Sequence, residues 1–343
     1  MIAGLLLFGA TGAAAVVIWR NHGGGHAAGT TPPVLTGPAG DAVSPGTDAA
    51  AKASLALPPV DHRYLLEPVS GAPPVHYRFK HPPLAGVLFD VESGRVLWER
   101  NPRLEHQIAS LTKMMTALIV AEHDPPQTLV RISARAAHTP GSATGLLPVA
   151  RKVPLEPLLQ ALIMISANDA AVALAQHDAG SVGRFVKEMN LQAQALGLTC
   201  THYSTPNGLR DRHNYSCPAD LAALARADLA NPRIAKIAAT RTAQPRFPIK
   251  GKHLYLYNNH YFLQRGLPGL PEAQVTGLKT GFTDRAGRCY VTTARIGGRE
   301  LGVVLLDSPN PLLQVPALLR AGFEDLGLAP PPASVKGTRP GVG

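Results

Sequence analysis

Along the middle of the chain, apolar side chains recur at the three- and four-residue spacing of helices that bury one face. From Ser110 the positions Leu111, Met114, Met115, Leu118 and Ile119 follow that spacing, which predicts a buried helix with a serine at its start. Leu155, Leu158, Leu159, Leu162 and Ile163 repeat the pattern and stop before Ser166-Ala167-Asn168. A third helix is predicted over 185–196, ended by Gly197. The flanks read differently, as short runs rich in β-branched and aliphatic residues. Residues 85–90 and 95–99 surround Glu92-Ser93-Gly94 and predict a hairpin. Residues 288–296 and 300–306 surround Gly297-Gly298, a two-residue hairpin signal, and 312–326 reads as a closing amphipathic helix. Strands at both ends with helices between them predict an α+β fold: an antiparallel sheet whose terminal segments pair, flanked by helices, with a helical lobe.

Composition sets the limits of the folded part. Hydrophobic residues make up 45% of the 343 and charged residues 16%, which excludes a chain disordered throughout. The 33 Gly and 32 Pro are dense in 21–80 and again after Ala329, marking 21–80 as linker, 329–343 as tail and 81–328 as the folded domain. Residues 1–20 open with an uncharged run of Leu, Ala, Val, Ile and Gly, long enough for a signal peptide or an N-terminal membrane anchor, so export is expected.

A formal charge of +10 points to an anionic partner: nucleic acid, acidic lipid or a wall polymer. Lys and Arg fall singly, with no run of five and no basic stripe interleaved with aromatics, so nucleic acid is not expected. Three Cys, at 200, 217 and 289, make no disulfide framework and no zinc spacing, and no HExxH is present. His253 and His260 read as a wet surface pair. Neither a metal nor a cofactor is expected, and the sequence leaves open whether Cys200 pairs with Cys217.

Three short motifs carry chemistry. Ser110-Leu111-Thr112-Lys113 sets a hydroxyl and an amine on one face of a helix, a nucleophile beside a base. The amine accepts the proton only where burial and a neighbouring cation lower its pKa. Ser166-Ala167-Asn168 offers a hydroxyl for proton relay and a carboxamide for a substrate amide. Lys279-Thr280-Gly281 lies between Gly277 and the first strand of the closing hairpin, bringing a cation, a hydroxyl and a glycine that permits close approach of a substrate backbone. A phosphate-binding loop needs Gly, four residues and then Gly-Lys-Ser/Thr, which Gly277-Leu278-Lys279-Thr280 lacks.

In this order the motifs are the signature of penicillin-binding proteins and serine β-lactamases. The chain resembles the low-molecular-mass D-alanyl-D-alanine carboxypeptidase family over about 86–328, and Pro206-Asn207-Gly208-Leu209 and Pro218-Ala219-Asp220-Leu221 resemble it as well. The resemblance implies a β-lactamase/DD-peptidase-like fold. It implies that Ser110 attacks the penultimate D-alanine of a peptidoglycan stem peptide, Lys113 takes the proton, Ser166 protonates the leaving amine and Asn168 holds the substrate amide. Lys279, Gly281 and Phe282 would line the site, with backbone N–H groups of Ser110 and Phe282 as the oxyanion hole and Thr280 and Thr283 on the substrate carboxylate. β-lactams would acylate the same serine. One departure bears on specificity: where family carboxypeptidases place an Arg, this chain has Ser308-Pro309-Asn310-Pro311. That keeps a D-alanyl endopeptidase as an alternative. A β-lactamase is disfavoured because Glu188-Met189-Asn190 does not fit the deacylating loop, and a non-catalytic wall-binding module is disfavoured by the complete motif set.

Overall fold

The computed structural model describes residues 60–67, 70–209 and 213–329. The expected leader at 1–20, the linker as far as 59 and the tail from 330 lie outside the described residues. The predicted sheet is present with five antiparallel strands: β1 (Ala85–Asp90), β2 (Val96–Arg100), β3 (Gln274–Thr283), β4 (Gly287–Ile296) and β5 (Arg299–Leu306), in the order β2-β1-β5-β4-β3. First and last strands meet at its centre, Ala85 opposite Leu306 and Asp90 opposite Leu301. All six residues of β1 are buried, because helices cover both faces of the sheet.

One face carries Val87, Phe89 and Val304 into a large core with the helical lobe. The other carries Leu88, Val303 and Leu305 against the closing helix, Pro311–Asp325, through Leu318 and Phe323. The lobe contains α1 (Lys113–His123), α2 (Leu155–Met164), α3 (Asn168–Ala179), α4 (Val182–Ala195), α5 (Pro218–Ala230) and α6 (Pro232–Ala238). Helices α3 and α5 had no periodic signal, since eight residues of α3 and eleven of α5 are buried, too many for one apolar stripe. Among the described residues no helix is long and apolar enough to cross a membrane.

Four expectations need correction. The helix expected from Ser110 begins at Lys113; Ser110 lies in a preceding 3₁₀ turn, Ala109–Thr112. Lys279-Thr280-Gly281 does not precede the hairpin but forms part of β3, the edge strand. His260 is 1% exposed, its Nε2 at 3.1 Å from the Thr292 hydroxyl, so it is no surface residue; Leu254, Leu256 and Phe262 around it carry the chain inward. Residues 60–67 and 70–80, read as linker, lie on the domain. Val75 N–H donates to Leu97 O, Trp98 Nε1 to Tyr77 O, and the Arg226 guanidinium to Leu65 O.

Cys200 and Cys217 form a disulfide, and Cys289 is free and buried, its thiol pushed up to about 12 by burial. On α5 Asp228 is buried with both carboxylate oxygens lacking a hydrogen-bond partner; burial first, then Glu122, raises its pKa well above the usual range. A raised acid gives stability that is full below its unfolded pKa and is lost as pH rises toward the folded one. Asp228→Asn is therefore expected to flatten the fall in urea stability above pH 4, a slope of up to about 1.4 kcal/mol per pH unit. Equal slopes in both proteins would show that Asp228 does not titrate there.

Candidate active site

The site is built where the 3₁₀ turn, the α2–α3 turn and the edge strand converge. Lys113, the first residue of α1, is fully buried and its Nζ donates to Ser110 Oγ at 2.9 Å and to the backbone carbonyl of Asn207 at 2.7 Å. Burial holds this amine well below its ordinary range, the cation of Lys279 pushes it further down, and Asp169 pulls it back up. Lys279 is itself 2% exposed, donates to Thr280 O at 2.9 Å, and is lowered by burial to about 7. A buried amine, Lys113, therefore touches the Ser110 hydroxyl, and a second buried amine, Lys279, helps to disfavour its charged form.

Glycines allow the elements to meet. A Cβ on Gly281 would stand 2.9 Å from Ile108 O and 3.0 Å from the Ser110 amide N, so only glycine lets β3 close against the serine turn. Gly208, at φ +72°, packs the opposite side: a Cβ there would lie 1.9 Å from Ala109 O. Thr112 Oγ1 donates to the same carbonyl at 2.8 Å, Thr116 Oγ1 donates to Pro206 O at 2.7 Å, and Asn214 Nδ2 donates to Thr112 Oγ1. These bonds tie Pro206 and Asn214 to the turn and to the start of α1, next to the Asn207 carbonyl that holds Lys113.

Ser166 is buried in a left-handed turn (φ +60°) after α2, and Asn168 opens α3. Asn168 Nδ2 donates to Pro140 O at 2.9 Å, while its Oδ1 is buried without a hydrogen-bond partner. Asp169 accepts from Thr144 N, Thr144 Oγ1 and Gly145 N, which anchors the 140–146 loop beside this turn. A Cβ on Gly141 would lie 2.7 Å from Asn168 Nδ2 and 3.6 Å from Leu209 Cδ1, which sets Asn168 beside the segment whose Asn207 carbonyl holds Lys113.

Phe282 is 63% exposed, and the Thr283 hydroxyl accepts from Ala286 N at 3.1 Å. Both line a cavity of about 470 Å³ with Gln107, Leu209, Asp284 and Arg285. The 308–311 segment supplies no cation. Ser308 is buried, donating to Gln314 Oε1 at 2.5 Å, and Gln314 Nε2 donates to His81 O at 2.6 Å. The sequence did not point to His260 or to the Asn207 carbonyl. Burial first, then the cation of Lys279, holds His260 down to about 4, so it is neutral. A backbone carbonyl leaves no residue-type signal at all.

A buried Lys hydrogen-bonded to a Ser on a helix-opening turn, with a second buried Lys on the adjacent strand, defines a serine–lysine acyl-transfer site. Residues 80–310 match the family model described as D-alanyl-D-alanine carboxypeptidase, and the chain belongs to that family. It is 31% identical over 236 residues to D-alanyl-D-alanine carboxypeptidase DacF of Bacillus subtilis, a match covering 67% of this chain and 59% of that protein. It is 32% identical over 225 residues to a D-alanyl-D-alanine endopeptidase of Pseudomonas aeruginosa, covering 65% and 71%. The crystal structure of a D-alanyl-D-alanine carboxypeptidase from Mycobacterium tuberculosis superposes with a TM-score of 0.67 at 30% identity, over 74% of this chain and 96% of that one. The chain thus spans about three-fifths of the length of the Bacillus relative.

Proposed function

We propose that the protein is an exported serine D-alanyl-D-alanine carboxypeptidase that removes the terminal D-alanine from peptidoglycan stem peptides and is acylated by penicillin. The observation that carries the reading is the 2.9 Å bond between Ser110 and a desolvated Lys113. Ser110 Oγ attacks the carbonyl carbon of the penultimate D-alanine as its proton passes to the Lys113 amine, whose charged form burial disfavours. The oxyanion is met by the backbone N–H groups of Ser110 and Phe282, which Gly281 brings together. Ser166 delivers a proton to the departing D-alanine nitrogen as the C–N bond breaks, leaving an ester on Ser110. Water then hydrolyses the ester. Asn168, with its unpartnered Oδ1, receives a substrate amide N–H. Thr280 and Thr283, with the charge of Lys279, take the terminal carboxylate. Mass spectrometry of a muropeptide digest tests the reading: loss of one alanine supports it, and no change in any peptide overturns it.

An endopeptidase is the second reading, favoured by the lack of a cation at 308–311. Loss of cross-linked dimers in the same digest would establish it. Arg285 lines the cleft beyond β3 and has no hydrogen-bond or ion-pair partner among the described residues. A charge-assisted bond is worth roughly 1.5 to 3 kcal/mol, so Arg285→Ala is expected to cut kcat/KM for D-alanine release about ten- to hundredfold. The effect should fall on KM, measured on a stem pentapeptide. An unchanged value would leave the two threonines and Lys279 as the whole carboxylate site.

A further inference from the structure

The charge of +10 is concentrated in one stretch. Between Asp228 and Glu272 there is no acidic residue, while seven Lys and Arg occur. Two of these act within the fold: Arg233 pairs with Glu156 at 2.7 Å, and Arg241 donates to the carbonyls of Leu263 and Gln264. Arg246, Lys250 and Lys252 are exposed on the hairpin that pairs Thr242–Ala243 with Leu256–Tyr257, and their side chains have no partner among the described residues. On the returning limb Leu254 and Leu256 are buried, so the alternate residues stand outward, Tyr255 at 72% and Tyr257 at 62% exposure. Tyr261, at 42%, opens the short helix that follows. Basic and aromatic side chains are thus both exposed on one short hairpin, although Lys and Arg fall singly along the chain.

We propose that this hairpin is a docking surface for an anionic glycopolymer, a chain of sugar or polyol units carrying phosphodiester or carboxylate groups. Charge complementarity supplies the attraction. Tyr255 and Tyr257, two residues apart on the returning limb and about 6.7 Å apart if it is extended, supply flat amphipathic faces on which ring or polyol units lie. Insertion into a bilayer draws on exposed Trp, Phe and Leu. In this stretch the exposed large side chains are all tyrosines, and Leu254, Leu256 and Phe262 face the core. Asn259 N–H donates to Met164 O at 2.8 Å, which ties the hairpin to the end of the helix that precedes Ser166. The proposal is independent of the reaction assigned to Ser110.

The test is equilibrium binding of the full chain to poly(glycerol phosphate), with neutral dextran, oligothymidylate and phosphatidylglycerol vesicles as further probes. Poly(glycerol phosphate) is expected to bind and dextran not. The affinity should weaken steeply with salt and fall about tenfold or more in a Lys250→Glu/Lys252→Glu variant, as charge reversal near a polyanion requires. A Tyr255→Ala/Tyr257→Ala variant should lose a comparable factor at constant salt dependence. Penicillin acylation should be unchanged in both, which shows that they fold. Binding undiminished in either variant overturns the proposal. So does equal or tighter binding of the vesicles, which would assign the surface to lipid, or of oligothymidylate, which would assign it to nucleic acid.

Discussion

Ser110→Ala is expected to abolish covalent labelling by penicillin and D-alanine release together, with the thermal unfolding midpoint kept within a few degrees. The hydroxyl is the group Lys113 reaches, and removing one oxygen from a partly exposed turn leaves the turn's framework untouched: Thr112 to Ala109 O, and Gly281 against Ile108 O. The Lys113 ammonium or amine keeps its bond to the Asn207 carbonyl, so no buried group is orphaned by the change. Binding without acylation should persist, visible as protection of the variant against unfolding by a non-covalent stem-peptide analogue. Full labelling of Ser110→Ala would remove the basis for the assigned chemistry.

Lys113→Ala is expected to slow acylation by roughly 10² to 10⁴, the range a positioned general base contributes. The pH profile separates this from a structural effect. In the wild type, acylation should rise with pH as Lys113 loses its proton, along a limb well below 10.5 because burial and Lys279 both disfavour the charged amine. That limb should vanish in Lys113→Ala. In Lys279→Gln it should move to higher pH, since one of the two influences lowering Lys113 is gone. Lys279 itself loses charge around 7, so affinity for a free terminal carboxylate should decline from neutral pH upward in the wild type. Stopped-flow acylation between pH 5 and 10 measures all three; superimposable limbs in wild type and Lys279→Gln would show that the two amines do not interact.

What was legible in the sequence follows from how each part works. The motifs that hold Ser110, Lys113, Ser166, Asn168 and Lys279 were legible because acyl transfer constrains residue types at fixed spacings; the structure sets Lys113 Nζ 2.9 Å from Ser110 Oγ and packs Gly281 against the Ser110 turn. Strands at 85–90 and 288–306 were legible because β-branched runs and Gly297-Gly298 are local signals. Helices α3 and α5 were not, being Ala-rich and buried on most sides, so that neither a polar face nor a period of 3.6 survives. Placing Lys279-Thr280-Gly281 on an edge strand needed the partner register, Lys279 opposite Val291, which pattern alone does not give. His260 was misread for a related reason: a polar residue among apolar ones reads as exposed until its hydroxyl partner, Thr292, is known.

The sheet's order also sets a timetable for its assembly. Ala85 finds its neighbour in Leu306, roughly 220 residues further on, so β1 emerges from the ribosome long before β5 exists. At synthesis rates of about 5 to 20 residues per second, β1 and β2 wait on the order of ten to forty seconds as a two-stranded ribbon. Such a ribbon is marginal in water. The central strand pair, and with it the edge on which Lys279 sits, therefore forms only when the chain is nearly complete. Whatever the helical lobe does earlier, the sheet is thus completed only at the end of synthesis.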